Sequence, residues 1–122
     1  MKNLIVTNNP AVAEQRNNVL FVDGSVEEVL IKVRDLVHQG YELISHPLGA
    51  SIRIIFSPFR SIVLGKKSAR ADQLSVEIIE DSILKYTRHM AFRNKETVAG
   101  DDYQMIDLIL IESALLEQPV LL

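Results

Sequence analysis

Apolar residues along this chain come in blocks of two kinds, short continuous runs and longer stripes of helical spacing. Leu4-Ile5-Val6, Val19-Leu20-Phe21-Val22, residues 41–45 and Ser61-Ile62-Val63-Leu64 are short runs bounded by polar or turn-forming residues, the signature of buried strands. Between the second and third runs, Val26, Val29, Leu30, Val33, Leu36 and Val37 fall on one helical face, with only Ile31 off the stripe. Ser25 stands three residues before Glu28 as a capping box, and Gly40 supplies a left-handed stop, so the spacing predicts a helix over 26–39. Val76, Ile79, Ile83 and Tyr86 predict another over about 74–90. Glu77, Glu80 and Asp81 gather towards its start and Lys85, Arg88 and His89 at its end, as the helix dipole favours. Asn9 before Pro10 opens a short helix over 10–17 with little apolar face, and Asp101 caps a last helix reaching Glu117.

Strands alternating with helices predict one α/β domain spanning 1–122. The expected architecture is a mainly parallel four-stranded sheet of order 2-1-3-4, flanked by helices and Rossmann-like, with right-handed crossovers. The direction of the fourth strand stays open. So does segment 46–59, where Pro47, Gly49 and Pro58 interrupt apolar residues. It reads as a folded-over functional loop or as part of a hairpin with the next strand.

Composition narrows the function classes. The 122 residues are 48% hydrophobic, which excludes disorder, and contain no Cys, which excludes disulfides, thiolate metal sites and a Cys nucleophile. A net charge of −3 argues against the basic face of a nucleic-acid binder. The opening apolar run is three residues, short of the roughly 7–15 of a signal peptide. Asp107 interrupts the most apolar segment before it reaches the roughly 18 residues of a membrane span. A cytoplasmic protein with no membrane contact is expected.

In such a sheet the carboxyl ends of the strands open onto the ligand crevice. Thr7, Asn8 and Asn9 follow the first strand, Asp23-Gly24-Ser25 the second, and His46 to Ser51 the third. Thr7, Asn8, Asn9, Asp23, His46 and Ser51 are therefore the candidate ligand-binding residues. The two asparagines either hold an anion together with free helix N–H groups or simply cap the helix. Asp23 either orients a base or shapes its turn. Ser25 is consumed by the capping box. His46 is the candidate catalytic base, although a His before Pro also ends strands by bonding backbone. Arg60 reaches the crevice only if the preceding loop folds over or the fourth strand runs antiparallel. Gly65-Lys66-Lys67-Ser68 lacks the upstream Gly of a phosphate loop, and His38, His46 and His89 are too scattered for a metal motif. Lys66, Lys67 and Arg70 read as solvated surface. No metal and no cofactor is called for.

The last helix is apolar nearly all round, with Asp107, Glu112 and Ser113 as exceptions. Such a helix needs cover on several sides. Sheet, neighbouring helix and the tail at 119–122 cover part of it. Met105, Ile109 and Leu116 share a narrow arc that calls for a partner, and a homodimer through residues 102–117 is expected.

Thr7-Asn8-Asn9-Pro10, Phe21-Val22-Asp23-Gly24-Ser25, Leu30-Ile31-Lys32-Val33-Arg34-Asp35-Leu36, His46-Pro47-Leu48, Ser57-Pro58-Phe59-Arg60-Ser61 and Ile78-Ile79-Glu80-Asp81-Ser82 together resemble the GrdX family. The resemblance covers most of residues 2–90. These are small proteins encoded beside the selenium-dependent glycine, sarcosine or betaine reductase genes of anaerobic bacteria. The resemblance implies a cytoplasmic accessory role, with reductase subunits as partners, and brings no catalytic residues with it. Three functions follow as expectations. The first is a non-enzymatic accessory protein binding a small anionic molecule or a reductase partner at the strand edge. The second is a small enzyme using His46 as general base, oriented by Asp23. The third is a protein that works through self-assembly.

Overall fold

Residues 3–49, 57–91 and 100–117 are described by the computed structural model. Their elements run β1 (Leu4–Thr7), α1 (Pro10–Gln15), β2 (Val19–Phe21), α2 (Val26–His38), β3 (Tyr41–Leu43), β4 (Ser61–Lys67), α3 (Gln73–Ala91) and α4 (Gly100–Glu117). Each predicted helix is present. The first is shorter than expected because Arg16 is already extended, and the last includes residue 100, so residue 101 lies inside it and not at its cap.

The sheet order is β2-β1-β4-β3, not 2-1-3-4. It is mixed, not mainly parallel: β1 and β2 pair in parallel, while β4 runs antiparallel to both β1 and β3. Burial accounts for the exchange. Ile62, Val63 and Leu64 are all fully buried, as a central strand covered on both faces requires. By contrast, the β3 sequence Tyr41-Glu42-Leu43 alternates half-buried and exposed positions and suits an edge. The 46–59 segment therefore leads from an edge strand into an antiparallel neighbour, which is the hairpin alternative; residues 50–56, Ser51 among them, lie outside the described residues.

Strand alternation distributes the core into two layers. Val6, Ile62 and Leu64 face α2 and α3, packing with Val29, Leu30, Val33, Val37, Ile79 and Tyr86. Ile5 and Val63 face the other way, onto Val12 of α1 and Ile111 of α4, with Leu108 and Leu115 alongside. The α2 stripe is buried as its spacing predicts. Ser25 Oγ accepts from the Glu28 N–H at 3.2 Å, and the Glu28 carboxylate folds back over Gly24. On α3 the buried face includes Ser75 and Ser82 beside Ile79 and Tyr86. Ser75 Oγ donates to Asp72 and accepts from Leu43 N–H of β3.

Because β4 alone is reversed, the carboxyl ends of β1, β2 and β3 and the entry to β4 share one edge of the sheet.

Gly40 ends α2 with φ +116°, and a Cβ there would run into the backbone carbonyl of Ser68. Gly40→Ala is expected to destabilise the protein by more than about 1 kcal/mol; a urea midpoint unchanged from wild type would show that the turn relaxes freely.

Candidate functional site

The shared edge is built from one cross-strand pair. Thr7 and Ser61 are register partners on the sheet face that carries α4, and their hydroxyls lie 2.6 Å apart. Ser61 Oγ donates to Asp107 Oδ2 of α4 at 2.7 Å, and Thr7 Oγ1 accepts from Asn9 N–H at 3.0 Å. Each hydroxyl has one proton, so the bonds run in one direction: Asn9 N–H to Thr7, Thr7 to Ser61, Ser61 to Asp107. The Asn9 side chain closes the ring. Its Oδ1 caps α1 by accepting from Ala11 N–H, and its Nδ2 donates to Gln104 O and to Asp107 Oδ2 at 2.9 Å.

Asn8 performs a similar task towards the other neighbours. Its Nδ2 donates to Gly24 O after β2 and to Pro58 O before β4, both at 2.9 Å, while its Oδ1 accepts from Arg60 N–H at 2.8 Å. Arg60 is 2% exposed, and its Nη1 donates to Pro47 O across the edge. The residues that sequence places after three different strands are thus brought together. Arg60 arrives by the antiparallel route because β4 is reversed.

Two opposite charges sit in this cluster. Burial pushes the Asp107 carboxyl above the ordinary carboxylate range, against the hydrogen bonds from Ser61 and Asn9 and the charge of Arg60. Burial likewise pushes the Arg60 guanidinium down, while Asp107 and Tyr86 hold it up. Arg60 stays charged at neutral pH. The cluster is balanced in charge when Asp107 is ionised and positive when it is not.

The predicted site residues divide by orientation. Thr7, Asn8 and Asn9 are buried, and their side chains bond protein groups, so the capping alternative for Asn9 describes this geometry. Asp23 and His46 are exposed. They follow β2 and β3, the two opposite edge strands, about 14 Å apart across three strand spacings. Among the described residues no hydrogen bond joins them. His46 Nδ1 accepts from Leu48 N–H at 3.2 Å. That bond places the proton of the neutral ring on Nε2 and occupies the Nδ1 lone pair with a backbone N–H. Partial burial and the charge of Lys85 lower the His46 pKa, with Asp81 opposing.

Arg60, Ser61 and Asp107 are the members the candidate list lacked. Asp107 carried a signal, as a charge in the most apolar segment of the chain. The signal for Ser61 needed the antiparallel register. Among the described residues no group of three His, Asp or Glu is placed to hold a metal, and no helix is long and apolar enough to cross a membrane. An open cleft of about 310 Å³ lies at the opposite end of β1, lined by Asn3, Gln15, Arg16, Asn17, Asn18 and Leu115 among others.

These features define a small mixed α/β protein whose strand-edge polar residues are bonded chiefly to one another. The chain belongs to the GrdX-like family: the family model described as GrdX-like protein matches residues 4–116, nearly its whole length. No curated protein and no solved structure matches it.

Asp107→Asn keeps an acceptor oxygen for Asn9 and Ser61 while removing the ionisation. A carboxyl whose folded pKa lies above its unfolded value contributes stability fully at pH below about 4, its unfolded value, and loses it as pH rises through the folded one. The urea midpoint of wild type is therefore expected to fall relative to that of Asp107→Asn as pH is raised from 4 to 7. A difference constant with pH would contradict the assignment.

Proposed function

We propose that this GrdX-like protein is a non-enzymatic accessory of glycine, sarcosine or betaine reductase in the cytoplasm, working by contact with reductase subunits. The observation that carries this reading is the state of the strand edge. Among the described residues, Thr7 and Ser61 donate along a chain that ends on Asp107, and His46 Nδ1 accepts from Leu48 N–H. Catalysis would require a reactive group aimed at a substrate. Family membership over 4–116 supports the association with the reductase system. Assembly as a homodimer through residues 102–117 is part of the same reading, since an accessory protein acts through its surfaces.

A second reading keeps the small anionic ligand at the strand edge, with Asp23, His46 and Ser51 as rim residues and Thr7, Asn8 and Asn9 as support behind them. The buried Arg60 charge beside a carboxyl that burial drives towards its neutral form favours it, because such a cluster carries net positive charge whenever Asp107 is protonated.

Affinity-tagged protein recovered from its own cells is expected to bring reductase subunits with it, identified by mass spectrometry, and His46→Ala is expected to bring them equally. Recovery without any reductase subunit would overturn the accessory role. Turnover by purified protein that His46→Ala abolishes would establish the enzyme instead. Inorganic phosphate raising the melting temperature of wild type but not of Arg60→Lys would favour the anion site.

A further inference from the structure

Two donors converge on one oxygen of Asp107: Asn9 Nδ2 at 2.9 Å and Ser61 Oγ at 2.7 Å, both on Oδ2. A backbone bond from Ser61 and the charge of Arg60 also favour the ionised carboxyl. What fixes these donors is independent of α4. Asn9 Oδ1 accepts from Ala11 N–H at 3.0 Å as the cap of α1, so its amide plane is set and Nδ2 is turned the other way. Both Nδ2 bonds, to Asp107 and to Gln104 O, go to α4. Ser61 Oγ accepts from Thr7, which accepts from Asn9 N–H, so the Ser61 proton has to leave the sheet towards α4. Ser61 itself is held by its pairing with Thr7 across β1 and β4. Without α4 the cradle keeps its shape and its polarity, which is preorganisation for an anion.

The helix that fills this cradle has less to hold it than its neighbours. α2 and α3 share the larger core, whereas α4 meets only the smaller one, where Ile111, with Leu108 and Leu115 alongside, packs on Ile5, Val12 and Val63. α4 adds no strand, so its displacement breaks no sheet pairing. Apolar residues stand on both of its sides, Leu108, Ile111 and Leu115 inward and Met105, Ile109 and Leu116 outward. Packing alone therefore does not choose which side faces the sheet. Polar contacts choose: Asp107 in the cradle, Gln104 O on Asn9 and Glu112 on Arg16.

We propose that Asn9 and Ser61, with Thr7 behind them, form a carboxylate-binding cradle that the chain fills with its own Asp107, and that a free carboxylate takes this place when α4 lifts. This rests on the reading of the strand edge as a site for a small anion; it names the ligand class and makes α4 the competitor. Charge selects the class. One buried cation, Arg60, acts on the cradle, so a monoanion leaves the cluster neutral. A doubly charged phosphate would leave a buried negative charge uncompensated. The cradle presents protons and no open acceptor, and an ionised carboxylate accepts without donating. Asp107 is always at hand as part of the chain, so a free ligand binds only the fraction of molecules in which α4 is lifted. Its apparent affinity is reduced by that fraction. α4 is thereby an autoinhibitory cover, and a ligand in the cradle holds it open.

Asp107→Ala removes the resident carboxylate, and formate replaces the missing group. Sodium formate is expected to raise the melting temperature of Asp107→Ala above its value in sodium chloride of equal ionic strength. Ser61→Ala in the same background is expected to abolish that rise. With Asp107 in place the lifted state is read by a thiol, since the chain has no cysteine. Ile111→Cys, at a buried inward position of α4, is expected to react with a thiol reagent faster as formate is added, by about twofold at the concentration that half-saturates Asp107→Ala. Val33→Cys, at a buried position of α2, is expected to react at an unchanged rate, which separates lifting of α4 from general unfolding. A formate effect on Asp107→Ala no larger than that of chloride overturns the proposal. So does an Ile111→Cys rate equal in the two salts, or an equal acceleration at Val33→Cys. If Asp107→Ala folds in neither salt, the two thiol rates decide alone. Phosphate that stabilises wild type without speeding Ile111→Cys, while formate also fails to speed it, overturns the cradle and leaves the anion reading standing at the rim.

Discussion

A carboxylate buried beneath a helix is costly, and the arrangement of this protein follows from how Asp107 is accommodated. Placing its charge under α4 requires donors that cannot be taken from water. The chain supplies them from β1 and β4, through Asn9 and Ser61, with Thr7 behind Ser61 and the charge of Arg60 nearby. Each donor exists because of another choice: Asn9 because α1 begins there, Ser61 because β4 runs antiparallel beside Thr7. Removing a partner would leave a buried acceptor unsatisfied, at a cost of roughly 1–3 kcal/mol or more for a charged group.

This accommodation also decides which way α4 faces. Its inward side is fixed by Asp107 as much as by Leu108, Ile111 and Leu115, so the strip from Met105 to Leu116 turns outward. Polar latch and exposed apolar strip are two consequences of one helix orientation. The same ring of bonds engages Thr7 and Asn9, and Asn8 is engaged separately by Gly24, Pro58 and Arg60, so the most obvious ligand groups of the strand edge bond protein instead. Among the candidate residues described there, Asp23 and His46 remain at the surface.

Local patterns carried much of this in advance. The α2 stripe, the Ser25 cap and the Asn9-Pro10 helix start are encoded within a few residues, and each took its expected form. The gathering of polar residues at one sheet edge was also legible, since three strands end in such clusters. Sheet order was not, because the exchange of β3 and β4 depends on how deeply Ile62-Val63-Leu64 is buried relative to Tyr41-Glu42-Leu43, a tertiary property. The same gap hid the inner partners. Asp107 stands out on an apolar helix, but its link to Ser61, 46 residues away in sequence, appears only once β4 is reversed. Nor could sequence show that Asp23 and His46 follow strands at opposite edges of the sheet.

Whether Asp107 and the strand edge are energetically one unit is read directly by a double-mutant cycle. Urea unfolding of wild type, Ser61→Ala, Asp107→Ala and the double variant at neutral pH gives the coupling between the two side chains. If the latch orients α4, the coupling is expected at about 1–3 kcal/mol, the upper part of the range for residues in one hydrogen-bond network. A coupling near zero, with the two single effects simply adding, would contradict the account.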